Sequence, residues 1–481
     1  MTRQLLVKVL DVNQNPVNGV TVRVPSAQTT EAVTQQSAAA FEIPDNVLSF
    51  DVIVPETPAQ AGATSFWEFS ATFSLQVSGG TTTFSKTSGR GMADCQNAGG
   101  FQKLIVIAYL SMLKDATGLV KQPPQDGKFV PQGVTDLAIP GSPIVNTDTK
   151  SAGSNRLNST FRSIQSLIPQ GKVYIAQYKT TKAPQLVMCW KPDYFQIAQP
   201  IPGGGGVGYH LWFHPLINRN PAISWGDYPF GYETTKDVAP ADRNQGYVNL
   251  GYKHLIWENW PLYQHFQARK KVIFVVPVGS MQDQFTDIQS RAGVFRLIKE
   301  LNLFLHNMEN ATYSTWNANE VGRVALSSLS YGGTFLQNAI ETPGSSALAP
   351  SNEFYDSKLR EVYAFDITIS SGSFISTIKS WWRQDPDRRF RIYTQDPAYV
   401  NFSEDTFKTA SGTQKIFNKV AHLQFPEVNV TEAHFDNLRS LVELPDPFFS
   451  SAKGYPTGSD PHHWFPRYFM SHALSNSGFP V

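Results

Sequence analysis

Two cysteines in 481 residues, Cys95 and Cys189, exclude a disulfide framework and leave no CxxC pair for a structural zinc. They fall in segments assigned below to different domains, so no bridge between them is expected. The chain also lacks an apolar run of about 18 residues, the least that spans a bilayer, so no transmembrane helix is expected. Its opening, MTRQLLVKVLDVNQNP, lacks the apolar core of a signal peptide: the apolar residues alternate as in a strand, and Lys8 interrupts them. These absences imply a cytoplasmic protein, or one exported without a cleaved signal. Charge is scarce too. Only 16% of residues are charged and the formal net charge is +1, so no nucleic-acid partner is expected.

What the chain has in quantity is apolar and aromatic material. Hydrophobic residues make up 41% and aromatic ones 12%, with 10 Trp and 32 Phe, enough for large cores and apolar clefts. At roughly 100–200 residues per domain, the length predicts two or three domains.

Residues 1–115 read as all-β. LLVKVLD alternates, NQNPVNG supplies turn residues, and VTVRV follows; AFEI, LSFDVIV, SFWEFSATFSLQV and KLIVIAYL continue the series. Short strands separated by turns predict a small β-sandwich. Residues 116–170, rich in Pro, Gly, Ser, Thr and Asn, read as a linker or a wrap over the surface, with a short helix in NRLNSTFRSIQSLI. From 171 strands and helices alternate, the pattern of a mostly parallel sheet covered by helices. KVYIAQYKT and QLVMCWKP form a hairpin, VGYHLWFHP and KVIFVVPVG are buried strands, KHLIWENWPLYQHFQARK and SRAGVFRLIKELNLFLHNM are helices. VGRVALSSLS, LREVYAFDI and RRFRIYTQD continue the sheet, SFISTIKSWWR and HHWFPRYFMSHAL the helices. TFKTASGTQKIFNKVAHL reads as a helix and EVNVTEAHF as the last strand.

The most informative stretch is VALSSLSYGG. A buried strand runs into Ser330, then Tyr331, Gly332 and Gly333, then a helix. A nucleophile elbow needs this order: a serine on a tight turn at the sheet edge, with small residues two before and two after it so that strand and helix can approach. Those positions are Ser328 and Gly332. The helix N-terminus adds N–H groups for a developing oxyanion. Over residues 171–481 the chain thus resembles the α/β-hydrolase superfamily, with serine in place of the first glycine of G-x-S-x-G. The opening strand, D-x-N-x-N-P-V-x-G and second strand resemble transthyretin-like or carboxypeptidase-regulatory-like sandwich modules, which implies a binding or docking role for that region.

The superfamily resemblance implies a triad in the chain order serine, acid, histidine. Two aspartates end the next two strands: Asp396, the first choice, and Asp366, the alternative. The histidine candidates are His463, then His462, then His434; His472, within the closing helix, reads as structural. The resemblance also implies oxyanion donors from Tyr331 and from Leu216, since Pro215 stands where the superfamily has a glycine and has no N–H. His214, beside that loop, is expected to line the substrate pocket, and an aromatic, lid-like insert near 219–253 offers Trp225, Tyr228 and Phe230 as further pocket walls, or as residues that pack the insert onto the core. His210 and His214 are spaced as some metal ligands are, but on a strand they stand roughly 13 Å apart, so no metal is expected. Gly203–Gly206 precede a strand, not a helix, so they are not a phosphate loop and no cofactor is expected.

The expected activity is hydrolysis of an ester or related acyl bond in a small or lipid-like substrate; esterase, lipase, thioesterase and peptidase chemistry all use such a site. Two alternatives remain open at this stage: a non-catalytic binding scaffold of the same fold, or a secreted effector or toxin whose N-terminal region docks onto a protein partner.

Overall fold

A computed structural model of the chain describes residues 2–120 and 170–197 with short gaps, and 205–215, 228, 247–257, 261–280, 284–309, 321–367, 372–393 and 465–481. Residues 121–169 of the expected linker, the helix expected from TFKTASGTQKIFNKVAHL, the strand expected from EVNVTEAHF, and most of the insert near 219–253 lie outside the described residues.

Period-two alternation governs the first 110 residues. Strand β1 (Thr2–Leu10) buries Leu5, Val7 and Val9 and leaves their neighbours partly exposed. It lies in a four-stranded sheet of order β4 (Ala38–Pro44), β1, β9 (Lys103–Tyr109), β8 (Met92–Asn97). A five-stranded sheet has the order β3 (Glu31–Val33), β2 (Thr21–Arg23), β5 (Ser49–Val54), β6 (Phe69–Ser78), β7 (Thr81–Arg90). Buried residues of both sheets join one hydrophobic cluster. Sequence pattern passes over β3, β7 and β8. The polar run TTTFSKTSGR becomes a strand because it pairs antiparallel with β6 along its length, a long-range constraint that local propensity does not carry.

The main sheet has eight strands in the order β10 (Leu113–Asp115), β11 (Gly171–Tyr178), β12 (Gln185–Pro192), β14 (Val272–Val278), β13 (Val207–Phe213), β15 (Val321–Leu329), β16 (Leu359–Phe365), β17 (Arg389–Tyr393). The last five in this order run parallel, and β10, β11 and β12 join through antiparallel pairs. Residues 113–115, grouped by sequence with the N-terminal region, are thus the edge strand of the main sheet instead. The α/β expectation holds in outline: a mostly parallel sheet covered by helices.

Alternate residues of each central strand feed two separate cores, as a sheet covered on both faces requires. Val187, Ile273, Val275 and Leu326 face helices α3 (Arg291–Glu309), α4 (Gly332–Glu341) and α6 (Gly372–Gln384), beyond the single turn α5 (Ser351–Glu353). Met188, Phe274, Val276 and Ala325 face α1 (Tyr247–Tyr252), α2 (Pro261–Ala268) and α7 (Phe465–Ser475). Within KHLIWENWPLYQHFQARK, expected to be helical, the described residues form a π-helical turn at Lys253–Trp257, which continues α1, and the helix α2 over Pro261–Ala268. Among the described residues no helix is long and apolar enough to cross a membrane.

The N-terminal sheets are fixed to the α/β part by one buried ionic cluster. Asp11 Oδ1 accepts the N–H groups of Asn13 and Asn15, both at 2.8 Å, which closes the DVNQNP turn. Asp11 Oδ2 accepts from Arg296 of α3 at 3.0 Å, and Arg296 also pairs with Glu300 at 2.8 Å. Glu300 in turn accepts from Ser111 Oγ (2.8 Å) and the Met112 N–H (3.0 Å). Asn13 donates to Leu348 O at 2.7 Å and accepts from Lys299 at 3.1 Å. Burial opposes the charge on Arg296, and the carboxylates of Glu300 and Asp11 more than offset it, so its pKa rises.

Arg296→Ala would leave two carboxylates near each other without their cation. It is expected to lower the unfolding free energy by about 3–5 kcal/mol, seen as a drop in the urea midpoint. Arg23→Ala breaks only the exposed pair with Glu31 and should shift stability by under about 1 kcal/mol.

Candidate active site

Strand order locates the crevice. From β13 the chain turns to one side of the sheet, through α1 and α2, to β14; from β15 it turns to the other side, through α4, to β16. The C-terminal ends of β13 and β15 lie side by side with their connections diverging, the geometry that opens a ligand crevice in α/β sheets.

Ser330 stands at that point. It follows β15 directly and precedes α4, and its φ is +56°, a conformation that costs an L-residue roughly 1–2 kcal/mol. The neighbouring chain holds it there: its N–H donates to Phe365 O at 3.3 Å, and its carbonyl accepts from the Gly333 N–H at 3.0 Å. The two glycines are required by space. A Cβ on Gly332 would sit 2.4 Å from Phe213 O and 3.0 Å from His214 O, and one on Gly333 would sit 2.7 Å from Ile367 Cβ. The turn is therefore pressed against the end of β13 on one side and the end of β16 on the other. Ser330 is half-buried, and the Tyr331 side chain is 48% exposed. Ser328, in register between Phe213 and Ala364, is fully buried, so its small side chain occupies the slot that a glycine would leave open.

Asp366 follows β16, next to Ser330 across the sheet. It too has positive φ, +45°; it is buried, and its N–H donates to Tyr393 O at 2.6 Å. Two non-glycine residues in the left-handed region on adjacent strand ends mark this edge as strained. A third is Phe285, at +63°, whose ring meets Phe213, His214 and Phe335 edge-on.

His214 is fully buried. Its Nε2 accepts the Gly279 N–H at 3.0 Å, so Nδ1 carries the proton and donates to Pro215 O at 2.6 Å. Its ring stacks on His254, 4.7 Å between centroids and nearly parallel. His214 thus ties the loop after β13 to the loop after β14. Tyr228 likewise packs. Its hydroxyl donates to Val278 O at 2.9 Å and accepts from the Leu186 N–H, joining β14 to β12 where those strands part. The other residues singled out by sequence, namely Asp396, His463, His462, His434, Leu216, Trp225 and Phe230, lie outside the described residues. His472, on α7, bonds through Nδ1 to the Tyr393 hydroxyl at 2.8 Å.

Sequence reasoning missed a buried relay beneath the site. Pro261 O accepts from His265 Nδ1 at 2.6 Å; His265 Nε2 then accepts from His210 Nδ1 at 2.8 Å; and His210 Nε2 accepts from Ser327 Oγ at 2.5 Å. One set of tautomers satisfies the chain, with both imidazoles neutral. His210 and Ser327 are 117 residues apart and His265 lies on a helix, so no spacing signals the cluster. The cysteines are free and apart, Cys95 on β8 and Cys189 on β12, where burial pushes the Cys189 thiol up to about 12.

No family model matches the chain, and no curated protein matches it. Among solved structures it is similar to a candidate carboxylesterase from Lactobacillus plantarum WCFS1, at 10% identity and TM-score 0.22, over 43% of this chain and 66% of that one. An arylesterase matches at 10% identity and TM-score 0.20, over 45% of this chain and 55% of that one. A mutant feruloyl esterase module from Clostridium thermocellum, complexed with sinapinate, matches at 10% identity and TM-score 0.22, over 50% and 81%. The chain spans less than two thirds of the length of the first two.

Burial holds His265 down at about 4 and His210 well below the ordinary 6.5, the latter further depressed by His265. As pH falls the unfolded chain takes up these protons first. The stability the two groups contribute is whole above pH 6.5 and is lost toward pH 4. His265 alone should cost on the order of 3 kcal/mol over that window. Urea midpoints measured from pH 7 downward should fall, and His265→Leu, though less stable at pH 7, should show a shallower fall.

Proposed function

We propose that this chain is a serine hydrolase that cleaves an ester or related acyl bond, with Ser330 as nucleophile. The observation that carries this reading is the strained Ser330 turn, wedged by Gly332 and Gly333 at the point where the sheet's connections diverge.

Ser330 Oγ attacks the substrate carbonyl while a histidine takes its proton. That histidine comes from the segment after β17: His463 first, with His462 and His434 as alternatives. A carboxylate orients the imidazole and stabilises its cation. Asp396 keeps the first place by strand order; Asp366 is supported by its burial and by its position across the sheet from Ser330. The developing oxyanion is held by the Tyr331 N–H at the start of α4, where the helix dipole adds to it, and by the Leu216 N–H. Collapse of the tetrahedral species breaks the acyl–leaving-group bond, the leaving group takes the proton, and water releases the acyl group. Substrates are small-molecule or lipid-like acyl compounds, and Trp225 and Phe230 of the insert supply the apolar wall. The N-terminal β region serves as a docking surface for a protein partner.

A fluorophosphonate probe should label the full-length protein, and Ser330→Ala should abolish labelling and lower ester turnover by at least about 10⁴-fold. A folded wild-type protein that resists the probe, with and without detergent, overturns the catalytic reading in favour of a binding scaffold. Asp396→Asn and Asp366→Asn identify the acid: the triad member should lose about 10⁴-fold in kcat, the other little.

A further inference from the structure

A cavity of about 370 Å³ lies away from Ser330, where the N-terminal sheets meet the last turns of α3. Its apolar wall is Trp67, Phe69, Met92, Leu303, Phe304 and Met308. Trp67 is held rigidly. Lys114 and Lys179 lie over its ring at 4.6 and 4.7 Å, and its Nε1 donates to Gln177 O at 3.2 Å.

The cavity also holds a buried cation. Lys86 of β7 is 5% exposed and lines the space. Its ammonium donates to Asn307 Oδ1 at 3.2 Å, and no carboxylate pairs with it among the described residues. A buried charge is ordinarily paired, because desolvation is costly. The negative end of α3 offsets only a fraction of the charge. Three acidic residues line the cavity too, but Glu56, Glu68 and Asp115 are all exposed, and Glu56 is engaged by Lys179 at 2.7 Å. None supplies the missing counter-charge.

We propose that this cavity binds a small amphipathic monoanion, a carboxylate whose head pairs with Lys86 and whose apolar body lies against Trp67, Phe304 and Met308. Arg90 and Lys114 line the space as well, but Arg90 is exposed and Lys114 lies over Trp67, so Lys86 is the buried cation there; a lone ammonium is a compact point charge, suited to one anionic head. At about 30 Å³ per water-sized volume, the space takes roughly a dozen non-hydrogen atoms. Burial already lowers the Lys86 pKa, and a bound anion would restore its charge.

Decanoate fits this size, and 1-decanol is its uncharged counterpart. Calorimetric titration of the full-length Ser330→Ala protein should show one saturable decanoate site, with decanol at least about tenfold weaker. Lys86→Gln should weaken decanoate by at least about tenfold and leave decanol unchanged, and Leu303→Trp, which fills the cavity, should abolish both. If Lys86→Gln does not fold, Lys86→Arg and Leu303→Trp carry the test. Absence of saturable binding overturns the proposal, as does decanoate binding that Leu303→Trp leaves intact, which would place the ligand elsewhere. Failure of fluorophosphonate labelling bears on Ser330 alone, so the two readings fail separately.

Discussion

One guanidinium, that of Arg296, joins the N-terminal turn to the helix that spans the main sheet. It is fully buried on α3, the helix that carries the chain over β13 from β14 to β15. The same helix that sets the strand order therefore receives the N-terminal turn through Asp11. Its neighbour Glu300 grips the backbone at Met112, one residue before β10 begins the main sheet. The hydrophobic cluster on that face is correspondingly continuous, running from Leu5 and Phe41 in the N-terminal sheets to Leu301 on the helix and Leu326 in the sheet.

Strain and rigidity are coupled at the far end of the same sheet. Ser330 and Asp366 hold left-handed backbone only because adjacent strands accept their N–H groups and because the glycines after Ser330 admit no side chain. Beneath them, the relay from Ser327 to Pro261 fills a dry interior with hydrogen bonds and no charge, so the strand that bears Ser330 is anchored from below without a titrating group at neutral pH.

The strained turn at Ser330 is legible because it is local. Strand, serine, tyrosine and two glycines stand within ten residues, and the physical demand on each can be read in isolation. The alternation of β1 and the apolar runs of β13 and β14 were legible for the same reason. What escaped reading depends on distance along the chain. Arg296 and Asp11 are 285 residues apart, and nothing in either neighbourhood announces the other. Tyr228 and His214 read as pocket walls because aromatic side chains near a crevice suit that role; their polar atoms are instead occupied by the backbone. Strand β7 was invisible because its partner, not its composition, makes it a strand.

The short strand β10 has a consequence for how this chain could evolve or be engineered. Three residues that leave the N-terminal sheets become the selvedge of the main sheet, closing the open side of β11. The two regions are therefore not interchangeable modules, to be cut between and recombined. A fragment starting at residue 171 would carry an unfinished sheet margin and a helix face stripped of its ionic mate, both of them invitations to self-association.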